Sequence, residues 1–277
     1  MIAVTGATGE LGGRVARGLA ALDVPQRLLV RDPARAPRLA HSELVSVPSY
    51  GDGAAMRDAL RGIDTLFLVS GREQLDRVRE HVSAIDAAVA AGVLRIVYTS
   101  FAAAAPDTTF TFGRDHFHTE QHIRATGARF TFLRDNLYLD YVPLLVGEDG
   151  VIRGPADDGR VAAVARDDVA DVAIAVLTSD AHDGQAYDVT GPEAFTLTEA
   201  AAELSRATGR SITFEHETLE QARASRAGSG AADWEIEGWV TSYAAIANGD
   251  LERVSDTVER VAGHAPISLA EFLQRSS

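Results

Sequence analysis

The chain has 277 residues, a formal net charge of −14 and no cysteine. Its length allows one large domain or two small ones, its acidity disfavours nucleic-acid binding, and the lack of cysteine excludes disulfides, thiol nucleophiles and thiolate metal sites. All 26 of its Lys or Arg side chains are arginines, which excludes a Schiff base, a phosphate-loop lysine and a Tyr-x-x-x-Lys catalytic pair.

The first predicted element is a short apolar strand at 2–5, followed by a glycine-rich turn and a helix at 11–22. The three glycines of the turn would allow a sharp reversal, close approach of a pyrophosphate, and close packing of helix on strand. The helix N-terminus would face the phosphates with its N–H groups. An ordinary glycine-rich loop is the weaker alternative, because both flanking elements are present. The predicted dinucleotide ligands here are Gly6, Thr8, Gly9, Glu10, Leu11 and Gly12.

Apolar runs alternate with amphipathic stretches through the first half of the chain. The predicted strands are 2–5, 27–30, 44–47, 64–69, 94–99 and 130–133, and the predicted helices are 11–22, 33–40, 53–61, 73–91 and 114–126. This alternation predicts an α/β fold with a doubly wound, Rossmann-type parallel sheet.

Later elements are shorter and predict a small, discontinuous C-terminal α/β lobe. The predicted strands are 151–153, 161–164, 185–189 and 212–214, and the predicted helices are 167–177, 198–206 and most of 218–277. We expect an NAD(P)-binding lobe over 1–136, to which 161–191 returns. The small substrate-binding lobe would then comprise 137–160 and 192–277.

An arginine follows the second predicted strand and bears on the choice of nucleotide. A carboxylate at this strand end binds the ribose hydroxyls of NAD, whereas an arginine pairs with the 2′-phosphate of NADP. Arg31 holds the strand end, and Arg35 could reach the same phosphate. Asp32 would favour NAD if its side chain turned inward, and a solvated helix start would also explain both arginines. The pattern favours NADP(H) over NAD(H).

Several motifs together resemble a known family. They are Thr5-Gly6-Ala7-Thr8-Gly9-Glu10-Leu11-Gly12, Val30-Arg31-Asp32-Pro33, Tyr50-Gly51-Asp52, Tyr98-Thr99-Ser100, His116 to Glu120, and Leu133-Arg134-Asp135-Asn136. The chain resembles the NmrA-like atypical short-chain dehydrogenase/reductases and, among them, the bacterial NADPH:quinone oxidoreductases. The resemblance runs nearly end to end. It implies an NADPH-dependent reductase of quinones or similar electron-poor small molecules, and it is compatible with a homodimer.

The chain departs from the wider superfamily at two places. Standard members carry a Tyr-x-x-x-Lys pair in which tyrosine donates a proton, and counting back from Glu120 these positions hold Phe112 and His116. Phenylalanine has no proton to give, and the NmrA-like quinone reductases also lack the pair. Ser49 stands where many relatives have an aspartate, which weakens an expected contact to the adenine.

Further candidate site residues end predicted strands or match the family. Ser70 and Gly71 would let the cofactor pass, although a plain turn explains them equally well. Ser100 and Phe101 end the fifth strand, where the resemblance places the active-site face; Ser100 could contact cofactor or donate to a quinone oxygen, and Phe101 could stack on the ring or pack in the core. His116 could contact cofactor or substrate, or be a structural histidine.

Three residues that follow the sixth predicted strand are candidates for the substrate side. Tyr138 could supply a hydroxyl to the reaction, Asn136 could clamp the substrate, and Tyr141 could line its site, unless the tyrosines only pack the protein interior. The predicted catalytic residues are Ser100, His116 and Tyr138. His118 and His122 are spaced for a shared metal but lack a recognisable third ligand, so we predict no metal site. We also predict no flavin cofactor.

Two other functions are alternatives to the reductase. A non-catalytic NAD(P)-binding redox sensor of the NmrA type would also lack the Tyr/Lys pair, whereas a sugar-nucleotide epimerase would need it. The chain shows no signal peptide and no apolar run long enough for a membrane span. We therefore expect a cytoplasmic protein that binds a small molecule, without nucleic-acid or membrane partners.

Overall fold

The computed structural model describes residues 1–275, whose strands and helices alternate along the chain. The strands are β1 Ile2–Thr5, β2 Gln26–Val30, β3 Ser42–Ser46, β4 Thr65–Leu68, β5 Arg95–Phe101, β6 Arg129–Asp135, β7 Val151–Gly154, β8 Arg160–Val161, β9 Gln185–Val189, β10 Phe195–Thr196 and β11 Thr213–His216. The α-helices are α1 Glu10–Ala21, α2 Gly53–Ala59, α3 Arg77–Ala90, α4 Thr111–Ala125, α5 Arg166–Leu177, α6 Leu197–Thr208, α7 Leu219–Arg226, α8 Asp233–Ala247 and α9 Leu269–Arg275. Shorter 3-10 turns cover Pro33–Arg35, Leu139–Leu145 and Ala227–Ser229, and a π-helical turn covers Val258–Ala262.

A seven-stranded sheet organises these elements in the order β3-β2-β1-β4-β5-β6-β9. The pairs from β3 to β5 run parallel, and Val4 of β1 is in register with Leu28 on one side and Phe67 on the other. The predicted doubly wound α/β fold is confirmed. Because strand order reverses between β1 and β4, the carboxyl ends of these two strands flank the crevice in which such sheets bind ligands.

The predicted helix at 33–40 is wrong, because only Pro33–Arg35 forms a single 3-10 turn. The start of this turn is as predicted: Pro33 occupies the first position, and the Asp32 carboxylate accepts a hydrogen bond from Ala34 N at 2.9 Å. The turn ends early because the Pro37 ring disfavours a helical conformation for the residue before it. Ala36 accordingly is extended, with φ −73° and ψ 143°.

The described chain divides into two compact units. The first comprises Met1–Ser100, Asp115–Arg134 and Asp167–Tyr187, and its core includes Leu66, Ile85 and Phe132. The predicted lobe boundaries differ from this division at residues 101–114, 135–136, 161–166 and 188–191, all of which fall in the second unit, and the roles given to the two lobes stay predictions. Within the part of the chain that the structure describes, no helix is long and apolar enough to cross a membrane.

The second unit comprises Phe101–Arg114, Asp135–Arg166 and the chain from Asp188 onward. Its apolar core joins the segment after β5 to the C-terminal helices. Phe101, at 7% exposure, packs against Phe110 with 5.0 Å between ring centroids. This packing explains why residues 101–114 belong to the second unit and not to the unit that contains most of the sheet.

Candidate functional site

The glycine turn brings the N-terminus of α1 against the end of β1. Gly6 has a φ of +65°, a left-handed conformation that favours glycine, and Gly9 N donates to Gly6 O at 2.8 Å. A Cβ added at Gly12 would lie 2.4 Å from Gly6 O. Gly6 therefore allows the tight turn, and Gly12 allows the close contact between the helix and the strand. Gly9 is the N-cap of α1, so no side chain covers the first N–H groups.

A cavity of about 380 Å³ opens at this turn, entirely within the first unit. It lies at the carboxyl ends of β1, β2 and β4. Nine of the predicted cofactor ligands line it, namely Gly6, Thr8, Gly9, Glu10, Leu11, Gly12, Arg31, Ser70 and Gly71. Among the described residues, the lining of this cavity does not include Arg35, Ser100 or His116. The predicted roles of all twelve residues stay predictions.

Sequence reasoning missed several side chains of the same cavity. Tyr50, Arg72, Gln74 and Glu80 line it but were not assigned to the site. Tyr50 donates its hydroxyl proton to the Val69 carbonyl oxygen at 2.8 Å, which ties the end of β3 to the end of β4. Its place in the Tyr-Gly-Asp motif was the available signal. The other three lie in or after a loop whose course the spacing of apolar residues does not define.

Ion pairs connect the lining of the cavity to a later segment of the chain. Glu10 lines the cavity, and its carboxylate is bound by Arg14 NH1 at 2.6 Å. Arg14 also donates from Nε to Asp167 at 2.5 Å. Because Asp167 begins the returning segment of the first unit, this bridge joins the start of α1 to α5.

A buried polar network lies beside the cavity between α3 and α4. Arg77 NH2 is 3.1 Å from His116 Nε2, and the Tyr98 hydroxyl is 3.0 Å from His116 Nδ1. Since a guanidinium can only donate, Nε2 of His116 is the acceptor. Within residues 1–275, Arg77 Nε and NH1 have no hydrogen-bond partner, although Asp115 Oδ2 is 3.8 Å from NH1. Both ring nitrogens of His116 are thus engaged within the first unit.

The imidazoles of this network are held in their neutral form. Burial, and then the positive charge of Arg77, lower the pKa of His81 to about 3. The same two causes, in the same order, lower the pKa of His116 well below its ordinary value. His81 is fully buried, so a proton on its ring would create a positive charge that water cannot solvate.

Acid should destabilise the protein through His81. The unfolded chain binds a proton at His81 below pH ~6.5, whereas the folded chain binds it only near pH 3. The stability that neutral His81 gives the folded chain is therefore complete above pH ~6.5 and is lost as the pH falls toward 3. The expected slope is up to ~1.4 kcal/mol of unfolding free energy per pH unit between these limits. Urea unfolding at several pH values, for the native chain and His81→Gln, measures it. Equal slopes for both proteins would contradict the assignment.

The Ser100 hydroxyl forms a hydrogen bond with a neighbouring carboxylate. Its Oγ donates to Glu120 Oε1 at 2.6 Å, and Arg134 donates to both oxygens of the same carboxylate at 2.8 and 2.6 Å. Ser100 and Glu120 are buried, at 1% and 0% exposure. The hydroxyl proton of Ser100 therefore points to Glu120, and its predicted contact with cofactor or substrate stays a prediction.

The predicted substrate residues lie in the second unit. Tyr138 donates its hydroxyl proton to Asp135, and burial followed by that anion raises its pKa well above the ordinary value. Arg166 lies over the rings of Tyr138 and Tyr141, 4.4 and 4.6 Å from their centroids. Asn136 donates to Leu251 O at 3.0 Å. These contacts hold the side chains in place, and their roles toward a substrate stay predictions.

Comparison with known proteins gives a family match over most of the chain. The model of the NmrA-like family matches residues 1–260. Quinone oxidoreductase 2 of Escherichia coli K12 is 35% identical over 279 residues, which cover 98% of this chain and 96% of that protein. NAD(P)H azoreductase of Xenophilus azovorans is 33% identical, with 98% and 96% covered.

A solved structure agrees with these relatives. The NADPH-dependent quinone oxidoreductase QOR2 of Escherichia coli, complexed with NADPH, superposes with a TM-score of 0.91 at 33% identity. The match covers 100% of this chain and 99% of that one. The similarity thus includes the elements that form the cavity.

Proposed function

The chain belongs to the NmrA-like family, and from that premise we propose that it is an NADPH-dependent reductase that acts on quinones or similar electron-poor small molecules. The observation that carries the proposal is the cavity at the β1–α1 glycine turn, lined at the β2 end by Arg31. Full-length relatives named as a quinone oxidoreductase and an azoreductase support the reaction class.

The residues of the cavity fit a phosphorylated dinucleotide. Gly9 caps α1 without a side-chain hydrogen bond, so main-chain N–H groups at the start of α1 are available to stabilise a pyrophosphate. Arg31 would hold the 2′-phosphate. Asp32, which would otherwise favour NAD, has its carboxylate bound to Ala34 N within its own turn. This engagement supports a preference for NADPH over NADH.

In the proposed hydride transfer, the main tasks of the protein are to bind and orient the two reactants. When bound, NADPH supplies a hydride, and an electron-poor acceptor takes it without strong acid catalysis. The chain has to hold the acceptor ring in place and exclude water. Phe112, at the position of the superfamily tyrosine, packs so closely on α8 that a Cβ at Gly238 would lie 2.2 Å from its ring. It donates no proton, which is consistent with an acceptor whose reduced form is protonated from solvent.

The substrate-side assignments remain part of this proposal. Phe101, Asn136, Tyr138 and Tyr141 would form the acceptor site, with Tyr138 as its hydroxyl group. The Tyr138 proton is donated to Asp135 and its raised pKa makes the phenol a weaker acid than an ordinary tyrosine, so we assign Tyr138 to positioning the acceptor and leave protonation to solvent. His116 would orient the cofactor, because it occupies the lysine position of the superfamily pattern.

NADPH oxidation tests the function directly. The rate is followed at the NADPH absorbance band with small benzoquinones and naphthoquinones and one azo dye, with NADH run in parallel. We expect quinone-dependent turnover that is at least about tenfold more efficient with NADPH, as expected for one charge-assisted contact. Tight dinucleotide binding without turnover on any acceptor would contradict the reductase and favour the redox sensor.

A further inference from the structure

The loop after β4 forms one wall of the cavity, and the main-chain amide of its Gly71 is held by a buried side chain. Ser70, Gly71 and Arg72 line the cavity. Gly71 N donates to His81 Nε2 at 2.8 Å, and His81 lies on α3 with no exposed surface. The main chain of a ligand-lining loop is thus fixed by a group that does not itself line the cavity.

The hydrogen bonds around His81 define which ring nitrogen carries the proton. Its Nδ1 is 2.9 Å from Thr119 Oγ1 on α4, and Thr119 donates its own proton to the Asp115 carbonyl at 2.7 Å. The threonine oxygen can therefore only accept from His81, so the proton lies on Nδ1. Nε2 is left as an acceptor, in the orientation that Gly71 N–H requires.

We propose that His81 is a positioning residue for the dinucleotide, whose Nε2 lone pair fixes the Gly71 main chain and with it the loop that lines the cavity. This inference rests on the proposed NADPH-binding function. It assigns a part in cofactor affinity to two residues that do not line the cavity, His81 on α3 and Thr119 on α4. The relay runs from Gly71 through His81 and Thr119 to Asp115.

The surroundings of His81 keep it an acceptor. Its titratable and charged neighbours are Arg77 on α3, His116 on α4, and Tyr50 and Tyr98, whose ring centroids are 6.1 and 5.7 Å away. With the imidazole buried beside a guanidinium, the neutral form prevails throughout the ordinary pH range. The contact is also close, because a Cβ at Gly71 would lie 3.3 Å from Nε2.

Two substitutions at His81 test the proposal. His81→Leu removes the acceptor and should raise the Kd and KM for NADPH about tenfold, the scale of one lost hydrogen bond, with kcat at saturating NADPH changed less than about twofold. His81→Gln keeps a carbonyl oxygen that can accept from Gly71 and should restore binding to within about threefold. A purely structural role would not separate these two variants.

A third variant and a control complete the experiment. Thr119→Val removes the partner that keeps the proton on Nδ1, so it should weaken NADPH binding in the same direction as His81→Leu and speed hydrogen exchange at the Gly71 amide. His122→Leu, a change at the surface of α4 where the imidazole contacts Asp86, should bind NADPH like the native protein.

Direct dinucleotide titration distinguishes failure of this inference from failure of the proposed function. A native protein that does not bind NADPH would contradict the function itself. Native binding, together with unchanged affinity and unchanged Gly71 exchange in both His81→Leu and Thr119→Val, would overturn the positioning role. If His81→Leu does not fold, Thr119→Val and His81→Gln still decide, since the first should lose affinity and the second should not.

Discussion

Replacing Gly9 with aspartate should weaken NADPH binding by about 100-fold or more while the protein still folds. The new carboxylate would stand at the N-cap of α1, where the proposed function puts the pyrophosphate. Two like charges about 4 Å apart near a protein surface repel by about 4 kcal/mol, which exceeds the ~2.7 kcal/mol of a 100-fold loss. Fluorescence titration with NADPH measures the affinity, and thermal unfolding shows that the fold is kept.

Gly9→Ala is the matched control for this change. It adds the same Cβ, which would lie 3.3 Å from Gly6 O and needs only a small shift, but it adds no charge. We expect its loss of affinity to stay below about tenfold, since a tight Cβ contact costs on the order of 1 kcal/mol. Native-like NADPH affinity in Gly9→Asp would refute the placement of phosphates at this helix terminus.

Replacing Arg31 with alanine should weaken NADPH binding by about 100-fold and NADH binding by less than about threefold. The difference follows from the loss of charge-assisted hydrogen bonds to the 2′-phosphate, worth ~1.5–3 kcal/mol each, which NADH never makes. Isothermal titration of both nucleotides against the native chain and the variant measures the two ratios. Equal losses for the two nucleotides would be incompatible with a 2′-phosphate role.

The neighbouring arginines provide the comparison. Arg38→Ala makes the same change of charge on an exposed residue of the same loop and should leave both affinities within about twofold, because exposed charges act weakly at a distance. Arg35→Ala separately examines the second predicted phosphate ligand. A selective loss of NADPH affinity would support that prediction, and no loss would assign the phosphate to Arg31 alone.

The parts of the site that depend on the local chain could be predicted from the sequence. The spacing of Gly6, Gly9 and Gly12 implies close packing of helix on strand, and the reason is visible at Gly12, where an added Cβ would clash with Gly6 O at 2.4 Å. The same holds for the cap at Asp32, which needs only a carboxylate before a proline turn. The error at 33–40 came from one residue, because the effect of Pro37 on Ala36 outweighed the helical spacing around it.

The contacts that join distant segments could not be predicted. Ser100 reaches Glu120 across twenty positions of the chain, and this pairing depends on how α4 lies on the sheet. The link between Gly71 and His81 depends on the path of an irregular loop. Apolar periodicity carries information about faces of elements, whereas these pairings depend on side-chain rotamers and loop geometry that a single sequence does not encode locally.

The discontinuous make-up of the first unit has a consequence for its synthesis. Its last strand, β9, lies at the edge of the sheet beside β6, yet it is translated only after residues 135–166, which belong to the other unit. While the chain grows on the ribosome, β6 therefore exposes an unpaired edge that can recruit foreign strands. Closure of the nucleotide-binding sheet must wait for a distant contact, which makes its folding intrinsically slow. A nascent chain that stalls between β6 and β9 would be the form of this protein most prone to aggregate.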